Sequence, residues 1–249
     1  MKMLRITGGL SLCLFALSLP TWGQQSLGDA RLAASVAAAQ KQYTDSFAGS
    51  PKLYNGPEYV DYAKRYHAQI GHQFFSAPDR QPGSVEYNNQ VFNNLRLNYD
   101  VVLDQVVLQH PTSPLTMRLI NEQMRAFTLN DHQFVRLVAD SASRNVIRTG
   151  YYEVLVDSQV QLLAKRAKRQ QEQIIDGKID VAYFDIDELF IKKGGVYHLI
   201  RNKSSVVRLL ADRNKEIQRY IQEHKLNFNK KQREAATVEL LRYYSSLRS

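Results

Sequence analysis

The chain has 249 residues and a formal net charge of +9, with 33 Lys and Arg side chains against 24 Asp and Glu. Its single cysteine excludes a disulfide within the chain and any cysteine-based metal site. The length is sufficient to build one hydrophobic core, or two smaller ones, without covalent cross-links.

Residues 1–23 have the layout of a cleavable secretory signal. A short basic start is followed by an apolar stretch over residues 6–20 and by neutral residues before Gln24. The apolar stretch is shorter than the roughly 20 residues that a membrane-spanning helix needs. We therefore expect an exported protein of the periplasm or cell envelope; the alternative is an uncleaved anchor. Cys13 lies within this segment, so the mature chain would contain no cysteine.

The positive charge is concentrated in the C-terminal third of the chain. Residues 24–163 hold 12 basic and 13 acidic side chains, whereas residues 164–249 hold 19 basic and 11 acidic ones. Such asymmetry favours an anionic partner. For an exported protein, an anionic glycan, lipopolysaccharide or a membrane surface fits better than nucleic acid. The alternative is a basic, solvated face with no dedicated ligand.

An N-terminal helical segment is predicted over residues 24–72. Residues 26–47 have Asp29 in position to cap an alanine-rich helix with one apolar face. After a break, residues 59–70 place three tyrosines and an isoleucine at spacings of three and four, which again predicts a helix.

From residue 73 to residue 200 the apolar period is close to two, which predicts strands. We expect about eight antiparallel strands that are linked as a meander and can curl into a partial barrel. Turn residues separate the strands. They are Asp104, Asn130 with Asp131, Asp157 with Ser158, and Gly194 with Gly195.

Helical spacing returns over residues 203–247. Ser204 or Ser205 can cap the first of three helices, Asp212 the second, and Asn229 with Gln232 resembles a capping box before the third. The predicted fold class is therefore α+β: N-terminal helices, then a domain over residues 73–249 in which a meandering antiparallel sheet is covered by C-terminal helices.

No catalytic or cofactor motif is present in the sequence. Gly-rich phosphate loops and nucleophilic serine signatures are absent, and the six histidines lack metal-ligand spacing. Asp185 and Asp187 share one strand face, which keeps a cell-wall or glycan hydrolase as an alternative. We favour a protein that is not an enzyme and that needs neither cofactor nor metal.

The candidate binding site is a basic surface of the C-terminal third. Its densest part is a cluster of four cations at the exit of a hairpin strand, and neighbouring hairpin residues would extend it. Lysine on edge strands also blocks aggregation, which is the structural alternative. The nine candidate residues are Lys165, Arg166, Lys168, Arg169, Lys192, Lys193, Tyr197, Arg201 and Lys203. We expect this surface to bind an anionic or amphipathic partner; a second alternative is an assembly subunit that recognises a partner protein through an exposed strand.

Five segments of the chain carry a resemblance to known proteins. They are LYNGPEY, NLRLNYDVVLDQVVL, GYYEVLVDSQVQLLAKR, KSSVVRLLADRNKEIQRYIQEHKLNF and LLRYYSSL. Together they resemble a family of uncharacterised secreted proteins of Gram-negative bacteria. The resemblance covers most of the chain after about residue 50. It implies an envelope location and carries over no functional residues.

Overall fold

The structure is a computed structural model that describes residues 31, 32, 34–36, 38, 52–141, 143 and 146–247. The chain divides into two compact units, residues 1–43 and residues 44–249. In the first unit the described residues are helical, and Leu32 and Val36 are exposed. The leader predicted over residues 1–23 and the rest of the predicted helix 26–47 lie outside the described residues.

The second unit is built mainly on antiparallel sheet. Thirteen strands are found among the described residues: β1 (Gln69–Ile70), β2 (Gln81–Tyr87), β3 (Gln90–Asp100), β4 (Gln105–Gln109), β5 (Thr116–Arg118), β6 (Met124–Leu129), β7 (His132–Leu137), β8 (Gly150–Val156), β9 (Val160–Lys165), β10 (Lys168–Ile175), β11 (Lys178–Asp185), β12 (Glu188–Lys193) and β13 (Val196–Ile200). Ten of them form one open sheet in the order β13-β12-β9-β8-β7-β6-β2-β3-β4-β5.

The predicted antiparallel sheet is confirmed in its coarse form. The turn predicted at Asp104 separates β3 from β4, and Asp104 adopts a left-handed φ of 56°. Gly194 and Gly195 form the turn between β12 and β13 with φ of 58° and 82°, values that favour glycine. The strand order is not a simple meander, because β2 inserts between β6 and β3, and the ten-stranded sheet is not closed.

A second, three-stranded sheet was not anticipated. β9 and β12 continue beyond a bend as β10 and β11, which pair along eight residues each and end at a turn of Asp176 and Gly177. β1 runs parallel to β11 on its other side. We call β10, β11 and their turn the arm.

Three helices follow the sheet, as predicted. They are α1 (Lys203–Leu209), α2 (Asn214–Glu223) and α3 (Arg233–Ser246). The N-cap of α1 is Asn202, whose side chain accepts from the Ser205 amide. The Ser205 hydroxyl in turn accepts from the Asn202 amide, which completes a capping box. Gln232 precedes α3 without a side-chain cap, although Asn229 Oδ1 accepts from the Gln232 amide at 2.9 Å. None of the described helices is long and apolar enough to cross a membrane.

The buried side chains form several cores along the sheet. The first core lies over β2, β3, β4 and β6, and includes Phe127, Phe134 and Tyr99. The second core joins β9, β12 and β13 to the three helices. Burial of its aliphatic side chains is what holds the helices on the sheet. These side chains include Leu162, Leu189, Ile191, Val206, Ile217, Leu240 and Leu241.

The helix predicted over residues 59–70 is wrong. Only Tyr62–Arg65 forms a helical turn, of the 3₁₀ type, and Gln69–Ile70 is strand. The Tyr59 amide donates to the Thr116 carbonyl at 2.7 Å, so this part of the chain runs along β5. Tyr59 is buried beside β3 and Tyr66 is buried against β11, so their helical spacing is misleading. Residues 52–72, predicted to lie outside the α+β domain, belong to the second compact unit.

Candidate functional site

The predicted basic cluster at the exit of β9 is largely directed inward. Lys165 Nζ lies 2.7 Å from Asp104 Oδ1, with the lysine side chain only 18% exposed. Lys168 Nζ donates to the backbone carbonyls of His72 and Phe74, at 2.9 and 2.7 Å. These two lysines therefore stabilise the chain's own turns and are not presented as a free cationic surface.

Strands β9 to β12 form one long hairpin with a bend between β9 and β10 and between β11 and β12. Arg166, at this bend, is the centre of a buried ion-pair network. Its guanidinium donates to Glu153 at 2.5 Å and to Asp187 at 2.7 Å. Two further hydrogen bonds, at 2.7 and 2.9 Å, reach both carboxylate oxygens of Glu234 in α3. His132 contacts the other oxygen of Glu153 at 2.5 Å. The network ties β7, β8, the bend and α3 together, so its first role is structural.

The candidate residues of the β12–β13 hairpin are also bound within the chain. Lys193 Nζ donates to Asp212 Oδ1 at 2.9 Å and to the Leu209 carbonyl at 2.6 Å. Lys192 Nζ lies 5.2 Å from the centroid of the Tyr197 ring, its neighbour across the hairpin. The hairpin therefore contributes one partly exposed cation to solvent.

Arg169, Arg201 and Lys203 complete the predicted set. Arg169 is exposed and its guanidinium lies 5.9 Å from the centroid of the Phe184 ring, on the arm. Arg201 and Lys203 lie at the first turn of α1, where Arg201 lines a small cavity of about 440 Å³ with Arg208. The nine residues are thus distributed over the bend, the arm, the β12–β13 hairpin and the start of α1, and do not form one continuous surface.

Asp187, one of the two carboxylates of the hydrolase alternative, has partners within the chain as well. Asp187 Oδ1 accepts from the Ala167 amide at 3.0 Å while its other oxygen binds Arg166. Asp185 lies opposite Lys168 in the β10–β11 register. Asp187 therefore holds the bend of the hairpin in place.

A larger cavity, which we call the outer cleft, lies on the face of β3, β4 and β5 opposite the first core. Its volume is about 700 Å³, within the range of ligand pockets. The chain between residues 58 and 80 forms its outer wall. The lining residues are Glu58, Tyr59, Val60, Asp61, Lys64, Phe74, Pro78, Asp79, Arg80, Asn98, Val107, Pro114, Leu115 and Thr116.

Asn98 on β3 and Val107 on β4 are cross-strand neighbours on the sheet face that the cleft covers. The Asn98 side chain donates from Nδ2 to the Pro78 carbonyl at 2.7 Å, which fixes the orientation of the amide. The oxygen, Oδ1, is buried and has no hydrogen-bond partner among the described residues, and the residue is 5% exposed. A buried acceptor without a donor is costly, so a ligand donor that reached Oδ1 would be stabilised there. Because the atom is shielded from solvent, the side chains around it would have to move to admit such a donor.

Two aromatic rings line the cleft. Tyr59 and Phe74 have ring centroids 6.3 Å apart at an interplanar angle of 46°. The Tyr59 hydroxyl donates to Asp100 Oδ2 at 2.8 Å, and the amides of Val102 and Leu103 donate to Oδ1 of the same carboxylate. Burial raises the pKa of Asp100, an effect that these hydrogen bonds oppose. The Tyr59 ring is thereby held in one orientation.

Charges of both signs surround the opening. Arg80 donates to Gln109 Oε1 at 3.2 Å and to Thr116 Oγ1 at 2.8 Å. A guanidinium has five donors, so these two contacts hold Arg80 in position and leave further donors for a ligand. Lys64 and the acidic residues of the lining add one cation and three carboxylates.

The outer cleft was missed from the sequence because its outer wall was predicted as a helix. Local signals pointed the other way, since Pro57 and Gly71 bracket the segment and Pro78 follows it. Asn98 has no such signal: its alternation with leucine and tyrosine predicts a solvated strand face, and only the folded wall makes it buried.

Among the described residues no group of three or more His, Cys, Asp and Glu side chains is arranged to hold a metal ion. Comparison of the chain with models of known families, with curated proteins and with solved structures gave no match.

Proposed function

We propose that the protein is an exported, non-enzymatic binding protein of the cell envelope that holds a saccharide in the outer cleft. The observation that carries this proposal is the buried, unpartnered Oδ1 of Asn98 on the sheet face of that cleft. A ligand hydroxyl or amide N–H would supply the missing donor and remove a desolvation cost of about 1–3 kcal/mol.

The lining supports a saccharide over other ligand classes. Saccharide hydroxyls both donate and accept, so they can satisfy Arg80, Lys64 and the surrounding carboxylates together. The C–H face of a sugar ring matches the rings of Tyr59 and Phe74. A purely anionic ligand would meet two cations but also the carboxylates of Glu58, Asp61 and Asp79.

This proposal moves the binding site away from the predicted basic surface. Lys165, Arg166, Lys168 and Lys193 are bound to acceptors within the chain, which leaves Arg169, Lys192 and the start of α1 for an anionic partner. Only these cations are then left as a binding surface for lipopolysaccharide or a membrane.

The test is titration of the purified protein with maltotriose, cellotriose and triacetylchitotriose by calorimetry and ligand-observed NMR. At least one should bind. Phe74→Ala should weaken that binding about tenfold, which is about 1.4 kcal/mol, because it removes one aromatic wall. Phe184→Ala on the arm removes an exposed ring outside the cleft and should leave the affinity unchanged.

Two further variants isolate the oxygen of Asn98. Asn98→Leu removes the acceptor and the bond to Pro78, whereas Asn98→Asp keeps acceptor oxygens but loses the same bond. Binding retained by Asn98→Asp and lost by Asn98→Leu, with melting temperatures of both recorded, would assign the contact to the acceptor. Absence of binding by all three sugars, or equal binding by every variant, would refute the proposal. Cleavage of a bound sugar, followed by mass spectrometry, would replace it with the hydrolase alternative.

Export is a separate part of the proposal and rests on the signal-like residues 1–23. Expression in a Gram-negative host should yield a periplasmic or envelope-associated protein whose N-terminal sequence begins near Gln24. Recovery of the full-length chain from the cytosol would contradict it. The resemblance to secreted proteins of Gram-negative bacteria stays a prediction.

A further inference from the structure

The arm has a free edge that the proposed saccharide site does not explain. β11 has a neighbour on each side, β10 and β1, whereas β10 pairs with β11 alone among the described residues. β10 is therefore an edge strand of eight residues. The edges of the ten-stranded sheet are shorter: β13 has five residues, and the three residues of β5 are bonded to the chain near Tyr59.

The hairpin geometry identifies which groups of β10 face outward. Asp176 and Gly177 both have positive φ, so they form a two-residue turn of the primed type. In such a hairpin the flanking pair, Ile175 and Lys178, exchanges both hydrogen bonds, and every second pair repeats the pattern. The residues between them direct their backbone N–H and C=O groups away from β11. These are Lys168, Gln170, Glu172 and Ile174, and no backbone or side-chain group of the described residues binds their main chains.

Two of the usual protections of an exposed edge are missing from β10. The eight residues contain no proline, and their register with β11 has no bulge. Lys168 would be a guard residue, but its ammonium is turned inward to the carbonyls of His72 and Phe74. At the other end Ile174 is 78% exposed and Ile175 is 50% exposed. A row of unpaired backbone donors and acceptors beside two exposed isoleucines is a template for strand addition.

The arm is also held in place before any partner binds. Val181 and Tyr183 of β11 are buried against Tyr66. Glu172 of β10 contacts Arg65 and the Tyr66 hydroxyl. A pre-organised strand loses little conformational entropy on pairing, which favours its use as a docking edge.

We propose that β10 docks an extended strand of a partner protein by antiparallel strand addition. The partner strand would place aliphatic side chains beside Ile174 and Ile175 and a carboxylate beside Arg169, whose guanidinium is exposed on the outer face of the arm. A second copy of this chain fits less well. In an antiparallel pair of two β10 strands, the isoleucines of one copy meet the basic half, Lys168 and Arg169, of the other.

The probe is a fluorescein-labelled peptide of eight residues with two aliphatic residues at its N-terminus and glutamate at position seven, titrated by anisotropy. A peptide of the same composition in scrambled order is its control. The first peptide should bind the wild-type protein, and Ile174→Lys should weaken binding at least tenfold. Ile186→Lys changes another half-exposed isoleucine, located at the bend, and should have no effect.

Ile174→Pro tests the backbone directly. It removes an outward N–H without touching the β10–β11 hydrogen bonds, whose survival can be checked from the β11 amides by NMR. Loss of peptide binding with an intact β11 supports the proposal. No binding by the wild type, or binding that survives Ile174→Pro, overturns it. A wild-type dimer in sedimentation that Ile174→Pro converts to monomer also overturns it, because a second copy would then cover the edge. The outer cleft does not contain β10, so this result is independent of saccharide binding.

Discussion

Lys168 shows how strand alternation divides a cluster of cations that is continuous in sequence. It shares the inner face of the arm with Gln170 and Glu172, while Arg169 lies on the outer face. Burial lowers the pKa of Lys168, yet its ammonium is held by two backbone carbonyls. The alternation can be predicted from sequence. The burial of the inner face cannot, because it depends on Tyr66, which lies about a hundred residues earlier in the chain.

Asp212 makes the stability of the fold depend on pH. Hydrogen bonds from Lys193 and then Tyr244 lower its pKa from 3.8 to about 2. The folded state therefore favours the charged carboxylate. This stabilisation is complete above the unfolded pKa of about 4 and is lost as the pH falls toward 2.

We expect Asp212→Asn to lower the free energy of unfolding at pH 7. The difference in free energy of unfolding between the variant and the wild type should shrink as the pH falls from 4 to 2. Urea denaturation at four pH values measures the difference. Asp176→Asn is a matched control, because it changes an exposed aspartate in a turn whose positive φ also suits asparagine. A wild-type advantage that persists unchanged at pH 2 would show that the contact with Asp212 is not ionic.

The long hairpin from β9 to β12 is the feature that the sequence predicted least completely. Its proximal half was expected as separate strands. In its distal half, the arm, only the end of β11 falls in a segment expected as strand, and the pairing of β10 with β11 was not expected. The Asp-Gly pair at residues 176 and 177 is a strong local signal for a two-residue turn. The charged and polar run over residues 164–173 concealed it, because its only apolar residues, Ala164 and Ala167, are three apart and give no strand alternation.

The bend of this hairpin depends on Arg166. Its side chain is 11% exposed and that of Glu153 is 4% exposed, so both charges are removed from water and compensate each other. We expect Arg166→Met to destabilise the fold by about 3–5 kcal/mol, because Glu153 would remain as a buried charge without its main partner. Chemical denaturation at neutral pH measures the loss.

Arg169→Met is the control for that variant. It removes a cation three residues along the chain that is exposed and has no carboxylate partner among the described residues. Its effect should stay within about 0.5 kcal/mol. Equal destabilisation by the two variants would mean that lost charge, and not the buried network, is responsible.

The order of sheet followed by helices along the chain could be predicted, because each of those elements has its own period and turn residues. The order of the strands within the sheet could not be predicted, since β2 pairs with β6 across more than 35 residues. The outer cleft also depends on long-range packing. Its outer wall comes from residues 58–80 and the sheet face behind it from β3, β4 and β5, and neither segment alone indicates a cavity.

Three of the cores of residues 44–249 share the ten-stranded sheet. Along β8, Tyr151 belongs to the first core, and Val156, five residues later, belongs to the second. Tyr152, between them, points to the opposite face, where it packs on Phe190. Because no linker or break in pairing separates these cores, loss of one exposes a sheet face of the others. This continuity predicts a single cooperative unit.

Leu241→Ala provides the test, since Leu241 is fully buried in the second core. The cavity should destabilise the unit by about 2–5 kcal/mol. If unfolding is cooperative, the slowest-exchanging amides of β3, in the first core, should lose the same free energy as those of α2. Native-state hydrogen exchange by NMR measures both, with Val196→Ala at a half-exposed edge position as the control. Unchanged protection of β3 with faster exchange in α2 would show that the helices and their core unfold separately from the rest of the sheet.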